Sequence, residues 1–224
     1  MPYELRTRFH EQLAEIDQRV LRLFGLVCES VAAATESLFA ADTDAALEVA
    51  GRDALVDQLE LEIEEVAEHL LLTQSPMSSD MRYLLTVLRI VPQLERCADL
   101  AEHVAQRGIT GLAARLTPEV RGLLSDMGTR CVAMWHDAGA AWADRDDTAT
   151  ARLDAVDDLL DRQHDELTRL LVDADMDNAD LMQATLVGRF YERLGDHAVH
   201  ITERICYVKA GRPRSHGAAS GACS

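Results

Sequence analysis

Lysine is nearly missing from this chain: 22 of its 224 residues are Lys or Arg, and Lys209 is the only lysine. Because Ala210 follows it, no Gly-Lys-Ser/Thr phosphate loop can be formed, and no Gly-x-Gly-x-x-Gly run exists to hold a dinucleotide. The five cysteines (Cys28, Cys97, Cys131, Cys206, Cys223) show no Cys-x-x-Cys spacing, which points to reduced thiols in a cytoplasmic protein rather than a disulfide frame. An apolar leader is lacking at Met1-Pro2-Tyr3-Glu4, and no uninterrupted apolar run reaches 18 residues. We therefore expect neither export nor a membrane span. Excess positive charge is absent too: 39 acidic residues leave a net charge of −17, with no segregated basic run, so nucleic acid is excluded as a partner.

Enzyme signatures are equally scarce. No Glu is followed three residues later by His, so the paired Glu-x-x-His of di-iron bundles is absent, and Asp161/His164 gives a single Asp-x-x-His. His10-Glu11 does not continue into a zinc-protease motif. No nucleophile elbow or Cys/His pair stands out.

What the chain does contain is helical periodicity. Apolar residues make up 48% of it but aromatics only 4%, as expected where Leu and Ala pack helix on helix. Leu13, Ile16, Val20, Leu23, Val27, Val31, Ala34 and Leu38 recur at steps of three and four, the stripe of a first helix ending near 41–44. A second helix is predicted over about 44–72, with Val56, Leu59, Ile63, Val66 and Leu70 inward and Pro76 beyond its end. The third starts near Ser78 or Ser79 and ends before Gly108, with a kink expected at Pro92. Thr117-Pro118-Glu119 has the composition of a helix start: a capping hydroxyl, Pro in the first turn, and an acid at the positive end. Three further helices follow, the last over about 177–210. Short connections make neighbours antiparallel. The fold class is thus all-α, a tandem repeat of two antiparallel three-helix bundles, with units at 1–107 and 108–210 and a disordered tail at 211–224.

The repeat is visible in one stretch. Glu192-Arg193-Leu194-Gly195-Asp196-His197-Ala198-Val199-His200 has a counterpart 97 residues earlier, and this offset matches Glu95, Arg96, Asp99, Ala101, His103 and Arg107 to Glu192, Arg193, Asp196, Ala198, His200 and Arg204. Residues four apart share a helix face, so each copy presents a line of Glu, Asp and His pointing away from the apolar stripe. The preceding helices carry further acid pairs, Asp53/Asp57 with Glu60, Glu64 and Glu68, and Asp157/Asp161 with Asp154, Asp158 and Asp165. Two readings of these rows stand open. They are solvated faces ion-paired with Arg96, Arg193 and Arg204, or oxygen-rich sites for magnesium, manganese, iron or zinc with His103 or His200 alongside. His197 reads as a helix-surface residue, and His10, His69, His136, His164 and His216 have no partner pattern.

The duplicated stretch and the acid-x-x-x-acid pairs resemble the PhoU family, regulators of phosphate uptake, over about residues 10–210. The resemblance implies a cytoplasmic, dimeric, non-enzymatic regulator that works with the phosphate ABC transporter ATPase and a sensor histidine kinase, touching the membrane only through those partners. It also implies metal ligands at Asp53, Asp57, Glu95, Asp99, Asp157, Asp161, Glu192 and Asp196, and no organic cofactor. Two positions depart from the family pattern: His200 stands where Asn is common, and Cys97-Ala98 replaces an apolar-Gly pair. His200 keeps the chemistry of a ligand. A metal-dependent hydrolase or oxidase at the carboxylates, or a helical scaffold without metal, are the competing functions.

Overall fold

The structure, a computed structural model, describes residues 2–40 and 43–210. Helices α1 (Pro2–Ala40), α2 (Thr43–Thr73), α3 (Ser78–Ile109), α4 (Pro118–Asp144), α5 (Ala149–Asp173) and α6 (Asn178–Ala210) follow in order, with a short 3-10 turn at Leu112–Ala114. Among the described residues there is no strand. The tail expected to be disordered lies outside them.

Local chemistry sets the boundaries. After α2, Ser75 takes a left-handed φ of 45° and Pro76 follows. Thr117 caps α4, its hydroxyl accepting from the Val120 N–H at 3.3 Å, with Pro118 in the first turn. Arg145 closes α4 at a φ of 54°, its N–H turned back to the Ala141 and Trp142 carbonyls. Pro92 does not interrupt α3, which stays helical from Ser78 to Ile109.

The expected stripes are buried. Ile16, Val20, Leu23, Val27, Val31 and Leu38 of α1 lie in a core shared with Val56, Ile63, Leu84, Val91, Leu124, Met134, Leu160, Val187, Leu194 and Ile201. Residues from both repeats form this one cluster, because equivalent helices meet across the middle, α1 on α4 and α3 on α6. The outer helices α2 and α5 pack within their own repeat. Trp135 and Trp142 are fully buried beside Phe24, with ring centroids at 6.5 and 6.0 Å. At about 25 cal/mol per Å² and roughly 150–250 Å² per ring, each contributes about 4–6 kcal/mol of transfer free energy before conformational entropy is counted.

Helix α1 contains an 18-residue window apolar enough to cross a membrane by length and composition. Its apolarity is used inside the molecule, where α1 packs on α2, α3 and α4. Of the cysteines whose side chains are described, Cys97 and Cys131 are buried free thiols and Cys28 is a half-buried one.

Candidate functional site

Residues four apart on α2 and α3 set two carboxylate rows against each other, and α5 and α6 repeat the arrangement. In the first groove Asp53, Asp57 and Glu60 of α2 act on Glu95 and Asp99 of α3. In the second, Asp157 and Asp161 of α5 act with Glu192 and Asp196 of α6. The rows point away from the core as expected, yet they are not plain solvated faces. Asp53, Glu95, Asp99, Asp157, Glu192 and Asp196 are half-buried between paired helices, while Asp57 and Asp161 are exposed at the rims.

Burial and crowding act in the same direction. Desolvation first, then the charges of Asp57 and Asp99, push the Asp53 carboxyl up to about 6. Glu95 rises to about 7 through burial and then Asp99, Glu60 and Asp57. Asp157 rises to about 7 through burial and then Asp161 and Asp196. Glu60, Asp161 and Glu192 are raised as well, each mainly by burial. Three carboxylate oxygens, Asp53 Oδ1, Asp157 Oδ1 and Glu192 Oε2, are buried with no hydrogen-bond partner. Unpaired buried anionic oxygens are costly, and a cation is the group that would relieve them.

The donor set therefore suits a hard or borderline cation, but the placement is open. Among the described residues no three Asp, Glu, His or Cys side chains converge into a group that could hold an ion. Asp53, Asp57, Glu95 and Asp99 would hold cations in one groove, and Asp157, Asp161, Glu192 and Asp196 in the other, after their side chains close in.

Gly195 allows a close approach of α5 to α6 at the second groove. A Cβ there would lie 2.5 Å from Asp157 Oδ1 and 2.5 Å from Leu160 Cδ2, so the missing side chain lets α5 seat Asp157 directly on α6. Ala98 occupies the equivalent place in the first repeat.

The histidines sort differently from the acids. His200 Nδ1–H donates to the Asp196 carbonyl one turn back, at 2.8 Å. His103 is exposed, and its ring lies against Phe190 of α6 at 5.6 Å, which places it on the α3/α6 side rather than in the acid groove. His164, read from sequence as a surface residue without partners, is half-buried and acts on Asp161. Its signal was the Asp161-x-x-His164 spacing, which puts both on one face of α5. Glu60 and Glu102 also belong to the first groove, as their action on Glu95 and Asp53 shows.

The arginines expected to neutralise the rows do so only in part: the charge of Arg96 acts to lower the Glu60 carboxyl and that of Arg193 the Glu192 carboxyl, yet burial leaves both raised. Glu192 pairs with Arg189 at 2.5 Å, and among the described residues Arg96, Arg193 and Arg204 form no ion pair.

Comparison with known proteins decides the family. The PhoU domain model matches twice, over residues 20–108 and 124–205, one match for each three-helix repeat. The chain belongs to the PhoU family. Among curated PhoU-family relatives, the phosphate-specific transport system accessory protein PhoU homolog 1 of Mycobacterium leprae is 31% identical over 210 residues, covering 92% of this chain and 95% of the relative. Homolog 1 of Thermotoga maritima is 29% identical, covering 91% of this chain and 90% of its own length. The crystal structure of PhoU from Pseudomonas aeruginosa superposes with a TM-score of 0.85 at 28% identity, over 91% of this chain and 100% of that one. PhoU proteins form a family of regulatory accessory proteins rather than of enzymes.

Proposed function

We propose that this protein is an accessory regulator of phosphate uptake that holds the phosphate-starvation response off when phosphate is plentiful. In this reading it is a cytoplasmic homodimer that links the ATPase of the phosphate ABC transporter to a sensor histidine kinase and meets the membrane only through them. The observation that carries it is the pairing of full-length PhoU similarity with two matched carboxylate grooves, one per repeat. Relatives named as accessory proteins of the phosphate-specific transport system support the transport connection.

Iron, zinc, manganese or magnesium at the grooves would supply the positive charge that Asp53 Oδ1, Asp157 Oδ1 and Glu192 Oε2 lack. The protein's own residues do the rest: α2 and α5 carry one row each, α3 and α6 the other, so a cation joining the rows would fix each outer helix on its inner neighbour. No nucleophile is needed for this task.

The test is a phosphatase reporter in cells lacking the gene, grown in ample phosphate. It should be switched on in the deletion and silenced by the wild-type gene. A copy carrying Glu192→Gln and Asp196→Asn reports whether the second groove is required. Transporter ATPase and kinase should both co-purify with the tagged wild-type protein, and a reporter that stays silent in the deletion would overturn the regulator reading.

A further inference from the structure

The two grooves share their acid pairs but differ at the next residue of the outer row. The shift that lays Asp53 on Asp157 and Asp57 on Asp161 lays Glu60 on His164. Buried positions keep the same register, Val56 with Leu160 and Ile63 with Leu167, so α2 and α5 present these side chains from equivalent places.

Two α6 glycines fix where the His164 side chain lies. A Cβ at Gly195 would meet Asp157 Oδ1 at 2.5 Å, and a Cβ at Gly188 would meet His164 Cδ2 at 3.5 Å. His164 stands seven residues after Asp157, and Gly188 stands seven before Gly195. The two contacts are therefore the ends of one antiparallel line, about 10 Å apart at 1.5 Å of rise per residue. The half-buried imidazole rests inside the α5/α6 groove at its Gly188 end. Asp161 lies between these ends on α5, and Glu192 lies between them on α6. Arg189 holds Glu192 Oε1 at 2.5 Å, which leaves Oε2 buried without a hydrogen-bond partner in the same stretch. In the first repeat Val91 takes the place of Gly188, and the α2 position carries a carboxylate.

The donor sets thus differ in kind. The first groove offers carboxylates alone, from Asp53, Asp57, Glu60, Glu95 and Asp99; the second sets one imidazole beside Asp157, Asp161, Glu192 and Asp196. Carboxylate oxygens suit magnesium and manganese, whereas imidazole nitrogen suits zinc and iron.

We propose that His164 is a metal-ligating residue that makes the two grooves unequal, so that the α5/α6 groove favours zinc or ferrous iron over manganese by a larger ratio than the α2/α3 groove does. This rests on cations occupying the grooves, as in the proposed function, and adds a nitrogen ligand and a difference in selectivity between the repeats.

The experiment is calorimetric titration of the metal-free full chain with zinc and, separately, with manganese. Wild type should bind zinc in two steps, the tighter at the second groove. Loss of a mere supporting partner of a metal ligand weakens binding about 10–100-fold, so His164→Gln should weaken the tighter zinc step at least about tenfold while manganese affinity holds within about twofold. Glu60→His should strengthen the weaker zinc step, because it gives the first groove the imidazole it lacks. That gain keeps the test decisive even if His164→Gln melts early. Zinc affinity unchanged by both substitutions, with both ions still bound, overturns the role of His164 and leaves cations in the grooves standing. Loss of manganese together with zinc in His164→Gln, without a gain from Glu60→His, overturns it as well. No saturable binding of either ion to the wild-type chain overturns this proposal and the groove cations together.

Discussion

Asp17 on α1 and Arg145, the residue that closes α4, form an ion pair of 2.5 Å across the junction of the two repeats. Asp17 Oδ1 also accepts the Trp142 indole N–H at 3.1 Å and the Tyr83 hydroxyl at 3.2 Å, while the Arg145 guanidinium lies over the Trp142 ring at 4.6 Å. One carboxylate thus ties α1, α3 and α4 together. Asp17→Ala strands two buried donors and should cost about 2–3 kcal/mol, whereas Asp17→Asn keeps an acceptor and should cost about 1 kcal/mol. Urea unfolding of the two variants measures the difference; equal losses would mean that the charge, not the acceptor, matters.

The grooves make a pH prediction whose sign is fixed. Asp53, Glu95 and Asp157 have carboxyls raised to about 6, 7 and 7 in the folded chain, above their unfolded values of 3.8, 4.5 and 3.8. Folding therefore strengthens proton binding, and the stabilisation is complete below about pH 4 and lost as pH rises through 6 to 7. For these groups the metal-depleted protein should gain stability on going from pH 8 to pH 5.5. Asp53→Asn/Asp157→Asn should flatten that slope and raise the melting temperature at pH 8. A slope unchanged in the double variant would show that the carboxyls are not the source.

Cations compete with protons for the same oxygens. Adding Zn²⁺, Mn²⁺, Fe²⁺ or Mg²⁺ at a hundredfold excess over Kd should stabilise the chelated protein by about 2.7 kcal/mol, a rise of about 5–10 °C for a chain of this size. Differential scanning fluorimetry reads this directly. A melting temperature indifferent to all four ions would leave the grooves as acid rows without a ligand.

Two glycines should respond in opposite ways to the same substitution. A Cβ at Gly108 would sit 2.5 Å from the Ser37 carbonyl oxygen, in backbone that cannot swing aside, so Gly108→Ala should cost about 3 kcal/mol. Gly51, exposed within α2, has nothing within 4 Å, and Gly51→Ala should stabilise by about 0.5–1 kcal/mol through helix propensity. Thermal melts of the pair check the close α1/α3 approach.

Much of this was readable from the sequence because helix stripes report burial directly. Ile16, Val20, Leu23 and Leu38 are inward for the reason their three- and four-residue spacing gave, and the cap at Thr117 and the stop at Pro76 lie where their chemistry requires. The acid rows were visible for the same reason. What periodicity does not contain is the identity of the neighbour on each flank. Arg193 next to Glu192 suggested a neutralising partner, but adjacent helical residues diverge by about 100°, and the i,i+3 residue Arg189 takes the role. His103 aligned with the acids in sequence, and its ring is drawn instead to Phe190, an aromatic contributed by the other repeat. The first is settled within α6 itself; the second turns on how α3 meets α6, a relation between segments 97 residues apart that no local pattern encodes.

The outer helices have a mechanical consequence. Since α2 rests on α1 and α3, and α5 on α4 and α6, neither makes a substantial contact with the opposite repeat. They hang like two leaves on a central frame of α1, α3, α4 and α6, and the spine of that frame is latched by Asp17. Whatever draws a leaf toward the frame at its carboxylates also moves its far tip, where Leu72 is 85% exposed on one leaf and Val172 80% exposed on the other. Ile63 and Leu70 of one leaf and Leu160 and Leu167 of the other are buried in the core, so a change at one groove reaches the other only through the four inner helices.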